Sequence, residues 1–147
     1  MIYKNKIFYE TKYIPPKGYK LLMLFGFIFT HSSENELSNI DLYHEKIHIN
    51  QYLDCLGLGI LIFAILLFTL LIFSIYSWWL LLFILFPINL YYIWYGINLL
   101  YQLCKYKNWK KAYKNIIFER QAYKLEKEIL LDNSERIEYT LFSFLKY

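Results

Sequence analysis

Apolar residues dominate one long central stretch of the chain. From Cys55 to Cys104 the sequence runs for 50 residues without a single Asp, Glu, Lys or Arg, and every charged residue lies on one of the two flanks. As a helix this stretch would be about 75 Å long, against about 30 Å for the hydrocarbon core of a bilayer. We therefore predict two membrane spans, near Leu56–Phe73 and Leu80–Tyr101, that form a transmembrane helical hairpin.

The tip of this hairpin is predicted near residues 74–79, where two serines alternate with apolar residues before a pair of tryptophans. Serines and interfacial aromatic residues are typical of a turn at the lipid–water boundary. Pro87 falls inside the predicted second span. Because proline lacks a backbone N–H, we expect it to kink that helix or to end a first segment there.

Two shorter patterns precede the central stretch. Leu21–Thr30 is apolar but too short to span a bilayer, and it follows Pro and Gly residues that indicate a turn. We predict a strand there, with a possible partner strand at Lys6–Tyr13. Ser38 and Asp41 fit the Ser-x-x-Asp start of a helix, which can then run without a breaker into the first span.

After the central stretch, Trp109–Leu131 has the charge spacing of one or two amphipathic helices. The chain is accordingly predicted to be mainly α-helical, a single membrane-embedded domain of residues 1–147. Its parts are an N-terminal strand and loop segment (1–37), a helix (38–54), the transmembrane hairpin (55–104) and cytoplasmic helices (105–147).

Basic residues mark the flanks of the hairpin. Residues 1–52 carry six Lys, residues 105–147 carry ten Lys and Arg, and the predicted tip carries none. The positive-inside rule then predicts a multi-pass protein of the cell inner (cytoplasmic) membrane with both termini in the cytoplasm. The lysines from Lys105 to Lys114 are read as topology signals that contact anionic lipid. No base-reading module accompanies this charge, so no nucleic-acid partner is expected.

The candidate chemistry is concentrated in His44-Glu45-Lys46-Ile47-His48. Residues i and i+4 lie one turn apart on the same helix face, so both imidazoles can bind one metal ion. Glu45 projects beside that ion and can take a proton from a water. The alternative is a pair of solvated histidines on a surface helix.

A zinc hydrolase needs a third protein ligand. His31, the remaining histidine, is one candidate, and a carboxylate after the second span is the other. Glu119 stands out because it is flanked by Ile116, Ile117, Phe118 and Ala122, and a buried charge needs a partner. That partner is either zinc or, alternatively, a Lys or Arg in a salt bridge. The later acids sit among Lys or Asn residues and are read as solvated: Glu126, Glu128, Asp132, Glu135 and Glu138.

These motifs resemble those of the gluzincin metallopeptidases. A His-Glu-x-x-His helix with a distant Glu in a Glu-x-x-Ala context is similar to the integral-membrane members of the CAAX-prenyl-protease and HtpX type. The chain also looks like a group of small, uncharacterised bacterial membrane proteins with a His-Glu-Lys-Ile-His helix and a Phe-Glu-Arg-x-Ala-Tyr segment. Tyr92–Ile97 and Ala112–Tyr123 carry this second resemblance, which covers roughly residues 18–147.

The resemblance implies zinc bound by His44, His48 and Glu119, with Glu45 as general base and acid. It also implies that Leu21–Thr30 is an edge strand that pairs with an extended peptide substrate. Tyr123 stands where these peptidases have Asp. We predict that it either donates a hydrogen bond to an oxyanion or packs in the core.

The function expected from these features is that of a membrane-bound zinc metalloendopeptidase, with the lipid bilayer and a membrane protein or peptide substrate as partners. The alternative is a non-catalytic metal-binding membrane protein that acts as a sensor or partner subunit. Serine hydrolase, cysteine hydrolase and nucleotide-binding motifs are absent from the sequence, and three histidines are too few for a di-iron hydroxylase.

Overall fold

The computed structural model describes residues 8–11, 13–16, 19–31, 37–73, 83–131, 135, 137 and 139–147. The described part is mainly helical, with a small sheet near the N-terminus. The strands are β1 (Phe8–Glu10), β2 (Leu21–Leu24) and β3 (Phe27–Thr30). The helices are α1 (Asn39–Ile72), α2 (Leu85–Tyr106), α3 (Trp109–Lys114) and α4 (Ile117–Leu125). Two 3₁₀ helices follow, at Glu126–Leu130 and Ser143–Lys146.

The segment predicted as one strand is a hairpin. β2 and β3 pair antiparallel across a turn at Phe25 and Gly26, both of which have positive φ (51° and 83°). Two central residues with positive φ define the tight hairpin turn whose twist suits paired strands. The prediction of a single strand over Leu21–Thr30 is therefore wrong, whereas the predicted partner exists. β1 pairs parallel to β3, so the sheet order is β1-β3-β2.

Helix α1 begins where the sequence predicts. The Ser38 hydroxyl accepts a hydrogen bond from the backbone N–H of Ile40, and Asp41 lies in the first turn. Both features stabilise the positive end of the helix. The helix then continues for 34 residues, about 51 Å, which confirms the predicted run from the motif into the apolar stretch.

Among the described helices, α1 is the one long and apolar enough to cross a membrane. Its most apolar window of 18 residues has a mean hydropathy of 2.9 and is only 11% buried. Helix α2 does not combine sufficient length and apolarity in this way, so the second predicted span is not established. The predicted hairpin tip lies outside the described residues. Helix α2 lies several residues downstream of the span predicted at Leu80–Tyr101.

Helix α2 runs back along α1 in the opposite direction. Near the start of α2, Pro87 packs against Gly59, and further along Tyr91 packs against Tyr52 and reaches His48. Pro87 is the third residue of α2. Backbone N–H groups in a first turn have no helical acceptor, so Pro87 fits the start of α2 without breaking its hydrogen bonds. Of the two predicted alternatives, a kink and a helix boundary, the structure has a boundary near Pro87.

The C-terminal half folds back onto the first half of α1. Asn98 of α2 accepts a hydrogen bond from the backbone N–H of Ile117 at the start of α4. Phe118 then packs in the core between Tyr91, Tyr95 and Phe144. The region predicted as one or two amphipathic helices is thus α3, α4 and a 3₁₀ helix, and α4 lies against the His-Glu-x-x-His turn.

Candidate metal centre

The two motif histidines face each other on α1. Their ring centroids are 4.8 Å apart, and the Nε2 atoms are 3.1 Å apart. His48 is buried, with 5% of its surface exposed, and His44 is partly buried. The four-residue spacing therefore brings both imidazoles to one place, as the sequence predicts.

Glu119 lies opposite these histidines, in the first turn of α4. Its Oε2 is 3.5 Å from Nε2 of His44, and its Oε1 is 3.3 Å from Nε2 of His48. All three ligand atoms lie within 4.8 Å of one another. Glu119 is 2% exposed, as its apolar neighbours in the sequence predict. The structure thus brings together the three residues predicted as metal ligands.

Hydrogen bonds fix which nitrogen of each imidazole is free to bind. Nδ1 of His44 lies 2.7 Å from Oε2 of Glu126, and Nδ1 of His48 lies 2.8 Å from Oε1 of Gln51. The Gln51 amide nitrogen donates to the carbonyl of Phe118 and to Gln121, so its oxygen is an acceptor. Each Nδ1 must then carry the proton of a neutral ring.

When both rings are neutral, this arrangement leaves two Nε2 lone pairs directed at the same point from 3.1 Å apart. Two lone pairs repel at this distance unless a proton or a cation lies between them. Ligand histidines in metal sites characteristically donate their other ring N–H to a carboxylate or an amide oxygen. Glu126 and Gln51 supply those acceptors, so the surroundings of both rings fit a metal ion.

The Glu119 carboxylate lies at the same point, and only one of its two oxygens accepts a hydrogen bond of good geometry from a described residue. Its Oε1 accepts a hydrogen bond of 2.8 Å from the Tyr95 hydroxyl. Its Oε2 is fully buried and has no hydrogen-bond partner among the described residues. An unsatisfied buried carboxylate oxygen is costly. A divalent cation between Glu119, His44 and His48 removes that cost, and two imidazoles with one carboxylate are ligands that zinc prefers.

The electrostatics of the site favour positive charge. Burial works against a charged His48 ring, but Glu119, with smaller contributions from Glu45 and Gln51, outweighs burial and raises the pKa of His48 to about 9. Burial likewise opposes ionisation of Glu119, but His48 and His44 outweigh it and hold the pKa of Glu119 well below its usual value. The site therefore stabilises a carboxylate together with a cation.

Glu45 shares a cavity with the candidate ligands. The cavity has a volume of about 390 Å³, and Glu45, His48 and Glu119 form its polar wall. Burial raises the pKa of Glu45, although His48 and His44 counteract part of this effect. The backbone of Met23 in β2 also favours the charged form of the Glu45 carboxylate and so acts to lower its pKa.

Edge strand β2 and a group of tyrosines form the rest of the cavity wall. All four residues of β2 line it, together with Pro16, Tyr19, Tyr91, Tyr92, Tyr95 and Tyr113. Since β2 has a neighbour on one side alone in the described sheet, its other edge is available beside Glu45. The cavity thus combines an acid–base group, a candidate metal centre and a strand edge.

Tyr123 and His31 lie at the margin of this arrangement or outside it. The Tyr123 ring packs edge-on against His44 with centroids 4.9 Å apart, and 38% of the residue is exposed. It is not one of the described residues that line the cavity, so its oxyanion role stays a prediction. Nδ1 of His31 lies 2.7 Å from the Thr11 carbonyl, and its Nε2 lies against the Pro15 carbonyl. His31 is thus not part of the His44–His48–Glu119 cluster.

Several functional residues were not predicted from the sequence. Glu126, expected to be solvated, instead bonds His44 from the 3₁₀ helix after α4, so that expectation is wrong. It follows Glu119 by seven residues, about two helical turns, and this spacing was a usable signal. Gln51 follows His48 by three residues on the same helix, so its spacing also indicated that the two side chains lie close together. Tyr95, whose hydroxyl bonds Glu119, and Tyr113, which lines the same cavity, had no comparable signal.

Comparison of the chain with protein-family models, with curated proteins and with solved structures finds no match. A functional assignment therefore rests on the geometry of the site.

Proposed function

We propose that the protein is a membrane-bound zinc-dependent metallopeptidase that hydrolyses peptide bonds near the cytoplasmic membrane surface. One observation carries this proposal. Two histidine Nε2 atoms and a buried Glu119 carboxylate converge within 4.8 Å, and Glu45 borders the same cavity. This is the ligand set and the neighbouring acid–base group that the gluzincin resemblance implies.

Each residue of the site has a separate role in the proposed hydrolysis. His44, His48 and Glu119 would hold zinc, which when bound activates water and polarises a carbonyl group. Glu45 accepts the proton of the attacking water and returns it to the amine of the departing peptide. Gln51 and Glu126 keep the two imidazoles in the ligating tautomer and orientation.

Strand β2 supports a peptide as the substrate. An extended chain added to the free edge of β2 would run along the cavity past Glu45, and hydrogen bonds between backbone groups would hold it there. The wall of leucines and tyrosines favours apolar side chains in the substrate. The hairpin turn at Phe25 is tied to α2 by a hydrogen bond of 2.6 Å to the Tyr92 hydroxyl, so the strand is fixed relative to the site.

The membrane part of the proposal rests on α1 and on charge. The exposed apolar half of α1 would span the bilayer, and His48 precedes Cys55, where the uncharged run starts, by about 10 Å of helix. In the proposed two-span arrangement α2 returns through the membrane, and the basic flanks place both termini in the cytoplasm. Substrates would then be membrane proteins or peptides held at the lipid surface.

The test is Glu45→Gln in the purified, reconstituted protein. We expect cleavage of a membrane-anchored reporter peptide to be lost while bound zinc, measured by elemental analysis, stays near one equivalent. Glu135→Gln, which makes the same change at an exposed residue, is the control and should keep full activity. Full activity of Glu45→Gln would reject the mechanism. Tightly bound zinc without cleavage of any membrane or soluble substrate would favour the non-catalytic alternative.

A further inference from the structure

A second cleft lies beside the catalytic cavity, at the junction of α2 and α3. It has a volume of about 610 Å³ and is lined by Trp109, Lys110, Lys111 and Lys114, with Tyr19 and Tyr113 at its boundary. Tyr19 and Tyr113 also line the catalytic cavity, so the two spaces share a wall. Tyr113 in turn lines the catalytic cavity together with the candidate ligand Glu119.

The positive charge of this cleft is not balanced locally. Five lysines and no acidic residue occur from Lys105 to Lys114, and the next acid is Glu119. Lys110, Lys111 and Lys114 form no ion pair with any residue that the structure describes. Lys105 and Lys111 instead place their ammonium groups over the Tyr106 ring, at 5.3 Å and 4.7 Å. The cleft therefore suits an anionic ligand.

The exposed residues that precede the cleft along the chain indicate where that anion comes from. Ile97, Leu100 and Tyr101 of α2 are each more than 60% exposed and precede the lysines along the helix. Trp109, 55% exposed, follows at the start of α3. Exposed apolar side chains on α2, followed by lysines interleaved with Trp109, are typical of a segment that passes from the hydrocarbon to the headgroups of a membrane. An acidic peptide or a nucleic acid would need no apolar approach of this kind.

We propose that this cleft binds the headgroup of an anionic phospholipid and thereby holds the catalytic cavity at the membrane surface. The inference rests on the membrane placement proposed above, but it does not depend on peptidase activity. Lysine ammonium groups contact the phosphate, and Trp109 lies at the level of the acyl-chain boundary. The shared Tyr113 wall places this lipid next to the space that a substrate enters.

The experiment measures lipid selectivity of the reconstituted full chain. Spin-labelled phosphatidylglycerol and phosphatidylcholine are compared for association with the wild-type protein in phosphatidylcholine vesicles. We expect phosphatidylglycerol to be preferred several-fold, since each lysine near the surface contributes up to about a fivefold preference. Lys110→Gln with Lys114→Gln should remove most of this preference, and Lys110→Arg with Lys114→Arg should retain it.

The matched control is Lys127→Gln with Lys146→Gln, which removes the same charge from exposed sites elsewhere. An equal loss of selectivity in the control would overturn the inference, because it would reflect net charge alone. Displacement of the lipid by inorganic phosphate, beyond that caused by chloride at equal ionic strength, would also contradict it and indicate a free-anion site. If alkaline extraction removes the chain from the vesicles, the membrane placement fails as well. Stable insertion without selectivity refutes the lipid site alone.

Discussion

Gly59 provides a quantitative test of how α1 and α2 pack. A Cβ atom added at Gly59 would lie 2.6 Å from Cα of Pro87, 3.2 Å from its Cβ and 3.3 Å from its carbonyl oxygen. Carbon atoms in favourable contact are about 3.5–4.0 Å apart, so Gly59→Ala forces the helices to separate locally by about 1 Å. The nearest atom belongs to the backbone, and no side-chain rotation can relieve the clash.

The expected change in the free energy of unfolding of Gly59→Ala combines two opposing effects. Overpacking of this kind costs about 1–3 kcal/mol, and contact with backbone places Gly59→Ala near the upper end. Replacing a helical Gly by Ala recovers about 1 kcal/mol of helix propensity. The net destabilisation should therefore be about 2 kcal/mol.

Gly57 is a matched control in the same helix. A Cβ atom at Gly57 meets nothing within 4 Å, so Gly57→Ala gains the propensity without the clash. The two variants should differ in free energy of unfolding by about 3 kcal/mol. Denaturant titration in detergent micelles, followed by helical circular dichroism, measures this difference. Equal stability of the two variants would mean that the helices do not approach closely at this point, and the proposed hairpin would lose its packing basis.

Three further outcomes follow from the site and its surroundings. Gln51→Leu removes the acceptor that fixes His48 and should weaken zinc binding by about 10–100-fold in chelator competition. Zinc affinity equal to that of the wild type would refute the tautomer argument. Adding zinc to the metal-free wild-type protein, at a thousandfold excess over the dissociation constant, should raise its free energy of unfolding by about 4 kcal/mol. The same addition should not stabilise Glu119→Ala. A similar gain in the wild type and in Glu119→Ala would place the metal elsewhere. Asp54→Ala removes the carboxylate that accepts hydrogen bonds from the Tyr139 hydroxyl (2.6 Å) and the Phe142 N–H (2.7 Å). The free energy of unfolding should fall by about 2–4 kcal/mol, and limited proteolysis should then cut the C-terminal segment. Cleavage no faster than in the wild type would show that Asp54 does not hold this segment.

Local signals in the sequence were enough to predict α1. The Ser38 cap, the acid in the first turn and the absence of a breaker all depend on neighbouring residues, and the helix begins at Asn39 as expected. The hairpin of β2 and β3 could not be predicted in this way. Its turn places Phe25 at φ 51°, a conformation rare for a bulky residue, and contacts with Tyr52 and Tyr92 compensate for it. Those tyrosines lie far along the sequence.

The residues of the candidate metal centre likewise differ in whether their neighbours in the sequence reveal their role. Glu119 was predictable because its apolar neighbours indicate burial, and a buried carboxylate needs a partner. Glu126 was missed because Lys124 and Lys127 beside it indicate a solvated surface. Its partner His44 is 82 residues away, and only the packing of α4 against α1 brings the two together.

The central claim is that three side chains from α1 and α4 hold one metal ion. The most direct measurement is the zinc content of the purified wild-type protein, of Glu119→Ala and of His31→Ala, after dialysis against a weak chelator. We expect about one equivalent of zinc in the wild type and in His31→Ala, and a large loss in Glu119→Ala. Loss of zinc in His31→Ala with retention in Glu119→Ala would contradict the central claim.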